Sequence, residues 1–225
     1  SFNENAFEGS VEFYYKKMDD LITYAEGSNI LGTDFSSWED RVEMNGLGKS
    51  YGLELFLKKN KGKLTGWVGY TLSRSIRQFD RINLGREYPY KFDRPHDLSV
   101  VSSYKLNEGT TFSLTWVYGS GNTITLPKEQ YLLVSNGDTQ QYYEYGERNS
   151  YRMQAYHRLD FGVNFVKQKQ WGERTWTVSI YNVYNRRNPF FIYFEDFIDN
   201  NVGYLEAKQV SLFPIIPTVR YGFKF

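Results

Sequence analysis

The stretch that decides the fold is Phe7-Glu8-Gly9-Ser10-Val11-Glu12-Phe13-Tyr14-Tyr15-Lys16, near the start of the chain. Its odd-numbered positions carry aromatic, aliphatic or small side chains, and its even-numbered positions carry mostly polar ones. Successive side chains of a β-strand point to opposite faces, so this period of two predicts a strand with one apolar and one polar face.

The same alternation recurs in further segments along the chain, whereas no long segment has a helical period. The apolar sets of these segments begin at Tyr51, Leu64, Leu98, Phe112, Leu159, Trp176 and Val219. The sequence therefore predicts an all-β fold of about eight antiparallel strands.

The connections between these segments alternate strictly between short and long. The short ones are residues 59–63, 107–109 and 170–173, and the long ones are roughly residues 25–39, 78–94, 119–154 and 195–203. Transmembrane β-barrels of the outer membrane have short periplasmic turns and long extracellular loops. The pattern favours such a barrel, with both ends of the chain on the periplasmic side.

The composition agrees with a membrane β-barrel. The chain has 225 residues with 20 Tyr, 17 Phe and 5 Trp, yet its mean hydropathy is −0.59. No run approaches the roughly 18 apolar residues of a membrane helix, but only alternate residues of a barrel strand face lipid. Tyr and Trp are enriched at membrane interfaces, which would accommodate the rings.

Charge and cysteine content exclude several other classes. Lys plus Arg is 27 and Asp plus Glu is 26, so the net charge of +1 gives no argument for a nucleic-acid partner. Without cysteine there is no disulfide scaffold, thiolate-zinc site or cysteine nucleophile. Residues 1–5 have neither the basic nor the apolar region of a signal peptide, so we expect a mature protein or a fragment.

A soluble β-sandwich or lipocalin-like barrel would also show alternating strands. Two observations favour the membrane interpretation: the asymmetry of the connections, and a charged polar face that suits a water-filled lumen. The charged residues of that face are Glu8, Glu12, Glu54, Arg74, Asp97, Lys105, Arg220 and Lys224. A charge on the lipid face costs about 2–4 kcal/mol at the midplane.

Four segments together resemble the C-terminal portion of a TonB-dependent outer-membrane receptor of the type common in Bacteroidota. They are Gly48–Glu54 (G-x-x-x-G-x-E), Phe92–Leu98 (D-R-P-H-D), Tyr181–Pro189 (N-x-x-N-x-x-N-P) and the closing Lys208–Pro217 with the strand that ends at Phe225. They occur in the family's order and span nearly the whole chain.

The resemblance implies a barrel of about 22 strands around a plug domain, which imports a scarce nutrient across the outer membrane. Residues 1–225 would form a single C-terminal barrel segment, without the plug and the earlier strands. The implied partners are the remaining receptor chain with its plug, a TonB-type energy-coupling protein acting through that plug, outer-membrane lipid and lipopolysaccharide, and, as an open question, a surface lipoprotein. The alternatives are a small closed eight-stranded barrel serving as an anchor or surface-binding protein, and a barrel enzyme.

Candidate ligand-binding residues lie in the predicted outer loops. Aromatic and arginine side chains recognise ligands by stacking and hydrogen bonding. The candidates are Trp38, Tyr142, Tyr143, Tyr145 and Arg148. The tyrosines would equally suit packing of the loop on itself or a headgroup belt, and Arg186 and Arg187 lie where lipopolysaccharide phosphates are plausible partners.

Two further sets of residues follow from the resemblance. Tyr221, Phe223 and Phe225 resemble the signal that the barrel-assembly machinery recognises. Glu54, Arg74, Asp97 and Arg220 are expected to face the plug from the lumen, or to form a buried ion network if the barrel is small and closed.

Neither catalysis nor metal binding has support beyond residue type. His96 and His157 are the only histidines, and we expect a strand-opening role for His96 and an interfacial role for His157 rather than a catalytic base. The acidic pairs Asp19-Asp20 and Glu195-Asp196 match no calcium-loop spacing. We therefore expect no enzyme activity, metal or cofactor.

Overall fold

The fold is antiparallel β-structure almost throughout. A computed structural model describes residues 6–25, 38–135, 138–199 and 202–225. The strands are β1 Phe7–Tyr24, β2 Val42–Lys59, β3 Leu64–Gln78, β4 Tyr88–Pro89, β5 His96–Asn107, β6 Thr110–Gly119, β7 Thr123–Ile124, β8 Pro127–Ser135, β9 Asp138–Tyr145, β10 Tyr151–Arg152, β11 Tyr156–Lys169, β12 Gly172–Tyr181, β13 Pro189–Asp199, β14 Val202–Ser211 and β15 Ile216–Lys224. Two short 3-10 helices span Trp38–Arg41 and Asn83–Gly85.

Eight of these strands form one continuous sheet in the order β1-β2-β3-β5-β6-β11-β12-β15, and β4 extends it beside β3. They coincide with the alternating segments, so the all-β antiparallel prediction is confirmed. Within the described residues no ladder joins β1 to β15, so these two strands are the edges of the sheet. The small closed barrel would need that ladder, and the barrel of about 22 strands stays a prediction.

Short turns and long excursions alternate, as the sequence predicts. Short turns join β2 to β3, β5 to β6, and β11 to β12, and we call this the short-turn end of the sheet. At the opposite, loop-bearing end, the chain makes excursions that contain the small ladders β7–β10, β8–β9 and β13–β14. The last excursion, residues 182–215, is longer than expected because β13 and β14 pair with each other instead of joining the sheet.

Strand register aligns the apolar positions on one face and the polar positions on the other. One row of the apolar face contains Phe13, Leu53, Leu72 and His96. The adjacent row of the polar face contains Glu12, Glu54, Thr71 and Asp97. Phe13 is 77% exposed and Val219 is 64% exposed, so no other layer of the described chain covers the apolar face at these positions.

The buried side chains lie at the loop-bearing end. Phe79, Ile82 and Tyr88 form an apolar cluster, against which Leu21 packs. No helix among the residues described is long and apolar enough to cross a membrane.

Candidate functional site

Three segments pack together over the ends of β2, β3, β5 and β6. They are residues 79–95, 119–126 and 146–154, and we call them the loop platform. Its apolar centre is the cluster around Phe79, whose ring lies on Gly46 of β2 so closely that a Cβ there would be 2.2 Å from the ring. Glycine at this position is what allows the loop to lie flat on the strand.

Asp93 is the polar centre of the loop platform. Its side chain is 1% exposed, and its carboxylate accepts hydrogen bonds from the backbone N–H of Ser75 at 2.6 Å, from Arg74 Nη1 at 3.1 Å and from Arg152 Nη2 at 2.6 Å. Arg152 also donates to the carbonyl oxygens of Asp93 and Gly121. One carboxylate therefore joins β3, its own turn and a segment 59 residues away.

Asn83 and Arg148 form a second long-range link in the loop platform. The backbone N–H of Arg148 donates to Asn83 Oδ1 at 2.7 Å, and Asn83 Nδ2 donates to the Arg148 carbonyl at 3.3 Å. The Arg148 guanidinium donates to the Tyr24 carbonyl at 2.9 Å and to Thr23 Oγ1 at 3.3 Å. Arg148 thus ties the loop platform to the end of β1.

The candidate ligand-binding residues divide into two groups. Tyr145, at the end of β9, is 53% exposed next to the loop platform, and Arg148 donates hydrogen bonds to the end of β1. Trp38 begins a 3-10 helix, and Tyr142 and Tyr143 lie in β9, but the side chains of these three lie outside the described residues.

Three of the four candidate plug-facing residues lie on the polar face. Glu54 and Asp97 share one row of it, and Arg220 lies opposite Thr177. The expected position of Arg74 on the polar face is corrected by the strand register. Its register partner is Tyr51, and it follows Tyr70 and Leu72 on the apolar face. Near the end of β3, the turn at Asp93 supplies the carboxylate that this arginine needs.

A second polar structure closes the excursion after β12. The buried amide of Asn182 donates to the carbonyls of Arg186 at 3.0 Å and Phe213 at 3.2 Å and accepts from the Arg186 N–H at 3.0 Å. Asn185 Oδ1 accepts from the Ile215 N–H at 3.0 Å, and Asn188 exchanges two hydrogen bonds with the backbone of His157. We call residues 182–188 with their partners the asparagine corner.

A polar cluster centred on Arg158 lies beneath this corner on the polar face, and the sequence analysis did not predict it. Arg158 donates to Asp160 at 3.0 Å and to the hydroxyls of Tyr156 at 2.8 Å and Tyr181 at 2.6 Å. Asp160 also accepts from the Asn182 backbone N–H at 2.9 Å, which joins the cluster to the corner. The sequence does place Tyr156, Arg158 and Asp160 at alternate positions, which lie on one face of a strand, and this spacing could have predicted the cluster.

A groove of about 260 Å³ adjoins this cluster, and Phe161 and Ile180 are the apolar members of its lining. Its lining includes Ser113, Thr115, Asp160, Gly162, Ser179 and Tyr181. Hydroxyl and carboxylate groups of this kind suit hydrogen bonding to a polar partner.

Both histidines lie near the loop-bearing end of the apolar face. His96 Nδ1 is 2.8 Å from the hydroxyl of Tyr70, and His157 Nδ1 is 2.8 Å from that of Tyr184. In the described part of the chain, each histidine ring is thus hydrogen-bonded to a tyrosine rather than to a serine or threonine hydroxyl. This arrangement fits the interfacial role expected for His157.

The hairpin of β13 and β14 carries exposed aromatic side chains above the sheet. Phe190 is 60% exposed and Tyr193 is 41% exposed. Glu195 pairs with Lys208 across the hairpin, and this hydrogen bond raises the pKa of the Lys208 ammonium.

The last strand ends in a series of ring contacts at the short-turn end. Tyr221 lies 4.8 Å from Trp176, Phe223 lies 5.3 Å from Phe225, and Phe225 lies 5.9 Å from Trp171, measured between ring centroids. The candidate assembly signal is therefore docked on β12 and on the turn before it.

A long-stranded sheet with one apolar face, aromatic rings toward both ends of that face and its described long excursions at one end is typical of the wall of a membrane β-barrel. The chain belongs to the family described as TonB dependent receptor-like, beta-barrel, whose model matches residues 1–185. Membership implies an outer-membrane β-barrel, and the family is one of receptors rather than enzymes.

Among solved structures, the chain is similar to the crystal structure of the ferripyoverdine receptor of the outer membrane of Pseudomonas aeruginosa bound to ferripyoverdine. The TM-score is 0.47 and the identity is 13%, over 84% of this chain and 22% of that receptor chain. At this level the similarity carries no argument about function. The chain spans about a fifth of the length of the receptor that it matches. No curated protein matches the chain.

Proposed function

We propose that this chain supplies barrel wall and extracellular loops to a receptor that imports a nutrient in a TonB-dependent manner. The observation that supports this most strongly is the loop platform, in which buried hydrogen bonds fix long loops at one end of a family-matched sheet. Residues on loops that are held by a rigid scaffold are well placed to bind ligands.

In this proposal the ligand binds to the outer loops and the plug, and the plug then rearranges to admit it. A TonB-type energy-coupling protein acts through the plug, and no covalent chemistry takes place on the ligand. Tyr145 presents its exposed ring beside the loop platform, while Arg148 acts by holding the loop in place. Trp38, Tyr142 and Tyr143 stay predicted contacts.

The polar face is proposed to meet the plug of the remaining receptor chain. Glu54, Asp97 and Arg220 supply charges there, and the groove beside Asp160 supplies hydroxyl groups. Arg74 is left out of this set because it forms an ion pair with Asp93.

Further partners are proposed at the membrane. Arg187 is exposed and is available to lipopolysaccharide phosphates, whereas the Arg186 guanidinium donates to Asn188 and Ala155. A surface lipoprotein partner and an origin in Bacteroidota stay predictions.

The import proposal is tested in cells that lack the gene for this protein. We expect growth-linked uptake of one nutrient class, from a panel of iron chelates, glycans, peptides and cobalamin, to depend on the gene. Removing the β8–β9 hairpin from the whole receptor should abolish that uptake while the barrel still assembles. Uptake of every class at the wild-type rate without the gene would contradict the proposal.

The assembly role of Tyr221, Phe223 and Phe225 is tested by deleting Phe225. We expect a lower yield of heat-modifiable barrel in the outer membrane, because the terminal ring and its contacts with Trp171 and Phe223 are lost. Phe225→Tyr is the control and should assemble normally. An unchanged yield after the deletion would exclude the role.

A further inference from the structure

Three layers of side chains follow one another down the apolar face of β11, β12 and β15 toward the short-turn end. The first layer contains Val163, Val178 and Val219. The second contains Phe165, Trp176 and Tyr221. The third contains Lys167, Arg174 and Phe223. Successive layers are two residues apart, or about 7 Å along a strand.

The third layer places two cations side by side. Lys167 and Arg174 are direct register partners on the same face, and Lys169 follows Lys167 on that face. Like charges that lie directly opposite each other in an antiparallel pair repel and destabilise it. The arrangement therefore calls for a counter-ion.

The chain does not provide that counter-ion among the residues described. No ion pair found there involves Lys167, Lys169 or Arg174. Glu173, next to Arg174 in sequence, lies on the polar face and accepts a hydrogen bond from Gln168 at 2.8 Å. The cations are therefore available to an anion from outside the chain.

A pair at the opposite end of the sheet shows the contrast. Lys17 and Lys49 are also direct register partners on the apolar face. Each has its own carboxylate, with Asp19 at 3.5 Å from Lys17 and Glu87 at 2.6 Å from Lys49. The same opposed geometry is thus neutralised within the chain at one end of the sheet and left open at the other.

We propose that Lys167, Lys169 and Arg174 bind the phosphate of an anionic phospholipid in the leaflet at the short-turn end. The acyl chains would lie along the valine layer, and the aromatic layer would lie at the level where Trp and Tyr favour the interface. Juxtamembrane Lys and Arg attract anionic headgroups. The site requires that the sheet stand in a membrane, but not that the protein import a ligand.

The test uses the whole receptor, purified from the outer membrane in detergent and titrated by native mass spectrometry. Phosphatidylglycerol and phosphatidylcholine with identical acyl chains are the two probes. We expect preferential phosphatidylglycerol adducts, which K167Q/R174Q weakens about tenfold, since each interfacial cation contributes appreciably. K17Q/K49Q is the matched control and should change adduct formation less than twofold.

Heat-modifiable migration reports whether each variant is folded. If K167Q/R174Q does not assemble, the single variant Lys167→Gln, at an exposed position, should weaken phosphatidylglycerol binding about threefold. Lys167→Arg keeps the positive charge and should bind phosphatidylglycerol like the wild type. Equal binding of the two lipids, or adducts unchanged by K167Q, would overturn the site. Displacement of phosphatidylglycerol by equimolar inorganic phosphate would show a free-phosphate site and would also overturn it.

Discussion

The loop platform and the asparagine corner perform the same task by different chemistry. Each fastens a long excursion to strand ends, and each places Asn residues at positive φ, such as Asn83 at 50° and Asn182 at 55°. The loop platform depends on a buried carboxylate, two guanidinium groups and an apolar cluster. The corner depends on neutral amides that bind backbone groups, and its described buried side chains are polar.

The difference predicts different modes of failure. A buried charge that loses its partners is costly, so the loop platform should come apart as a unit. A lost amide leaves only individual backbone groups unpaired, so the corner should loosen locally. Four substitutions, in descending order of expected effect, test this contrast.

Asp93→Ala should have the largest effect. It leaves Arg74 and Arg152 without their carboxylate and the Ser75 N–H without an acceptor, which should cost about 3 kcal/mol or more of local stability. Hydrogen exchange should then speed up together across residues 79–95 and 146–154. The control Asp93→Asn keeps a hydrogen-bond acceptor and should lose less stability. Faster exchange limited to residues near 93 would show that the loop platform is not a cooperative unit.

Phe79→Ala tests the apolar half of the loop platform. The cluster is small, so we expect a loss of about 2–3 kcal/mol, below the range for a large core. Limited proteolysis within residues 79–95 is the measurement, with Phe79→Leu as the milder apolar control, which leaves a smaller cavity. A loss larger than that of Asp93→Ala would show that apolar packing, rather than the charge network, dominates.

Asn182→Ala tests the corner. It removes three hydrogen bonds to backbone groups and places a Cβ-bearing residue without an amide at φ 55°, for a cost of about 2 kcal/mol. Asn182→Gly removes the same bonds but relieves the backbone strain, so it should be milder. Exchange should rise at residues 182–188 and 213–215 only, and a rise in the loop platform would argue against two independent structures.

Arg148→Ala should have the smallest effect. The guanidinium is partly exposed and donates to the end of β1, so we expect a loss of about 1 kcal/mol, with Arg148→Lys between the variant and the wild type. The measurement is exchange at the amides of residues 146–150. If uptake of the nutrient falls while this exchange is unchanged, Arg148 contacts the ligand directly rather than holding the loop.

The sheet was predictable because strand alternation is a local property of the sequence. The eight alternating segments and the position of the short turns correspond to the observed strands. Arg74 was predictable in the same way, since it continues the even-numbered positions of Tyr70 and Leu72, but its charge suggested the lumen instead.

The loop platform was not predictable, because its bonds join residues that are far apart in sequence. Asp93 and Arg152 are 59 residues apart, and Asn83 and Arg148 are 65 apart. The motifs around Asp93 and Asn182 supported the family resemblance, but sequence alone did not show which backbone groups these side chains bind. Long-range partners of this kind follow from topology rather than from local propensity.

The two unpaired edges of the sheet have a practical consequence for handling the protein. β1 presents 18 residues and β15 presents nine, each with backbone groups that have no ladder partner on one side in the described structure. Open edges beside an exposed apolar face are templates for association with other chains. Expressed alone, this polypeptide should form inclusion bodies and concentration-dependent aggregates, and co-production with pairing strands should suppress them.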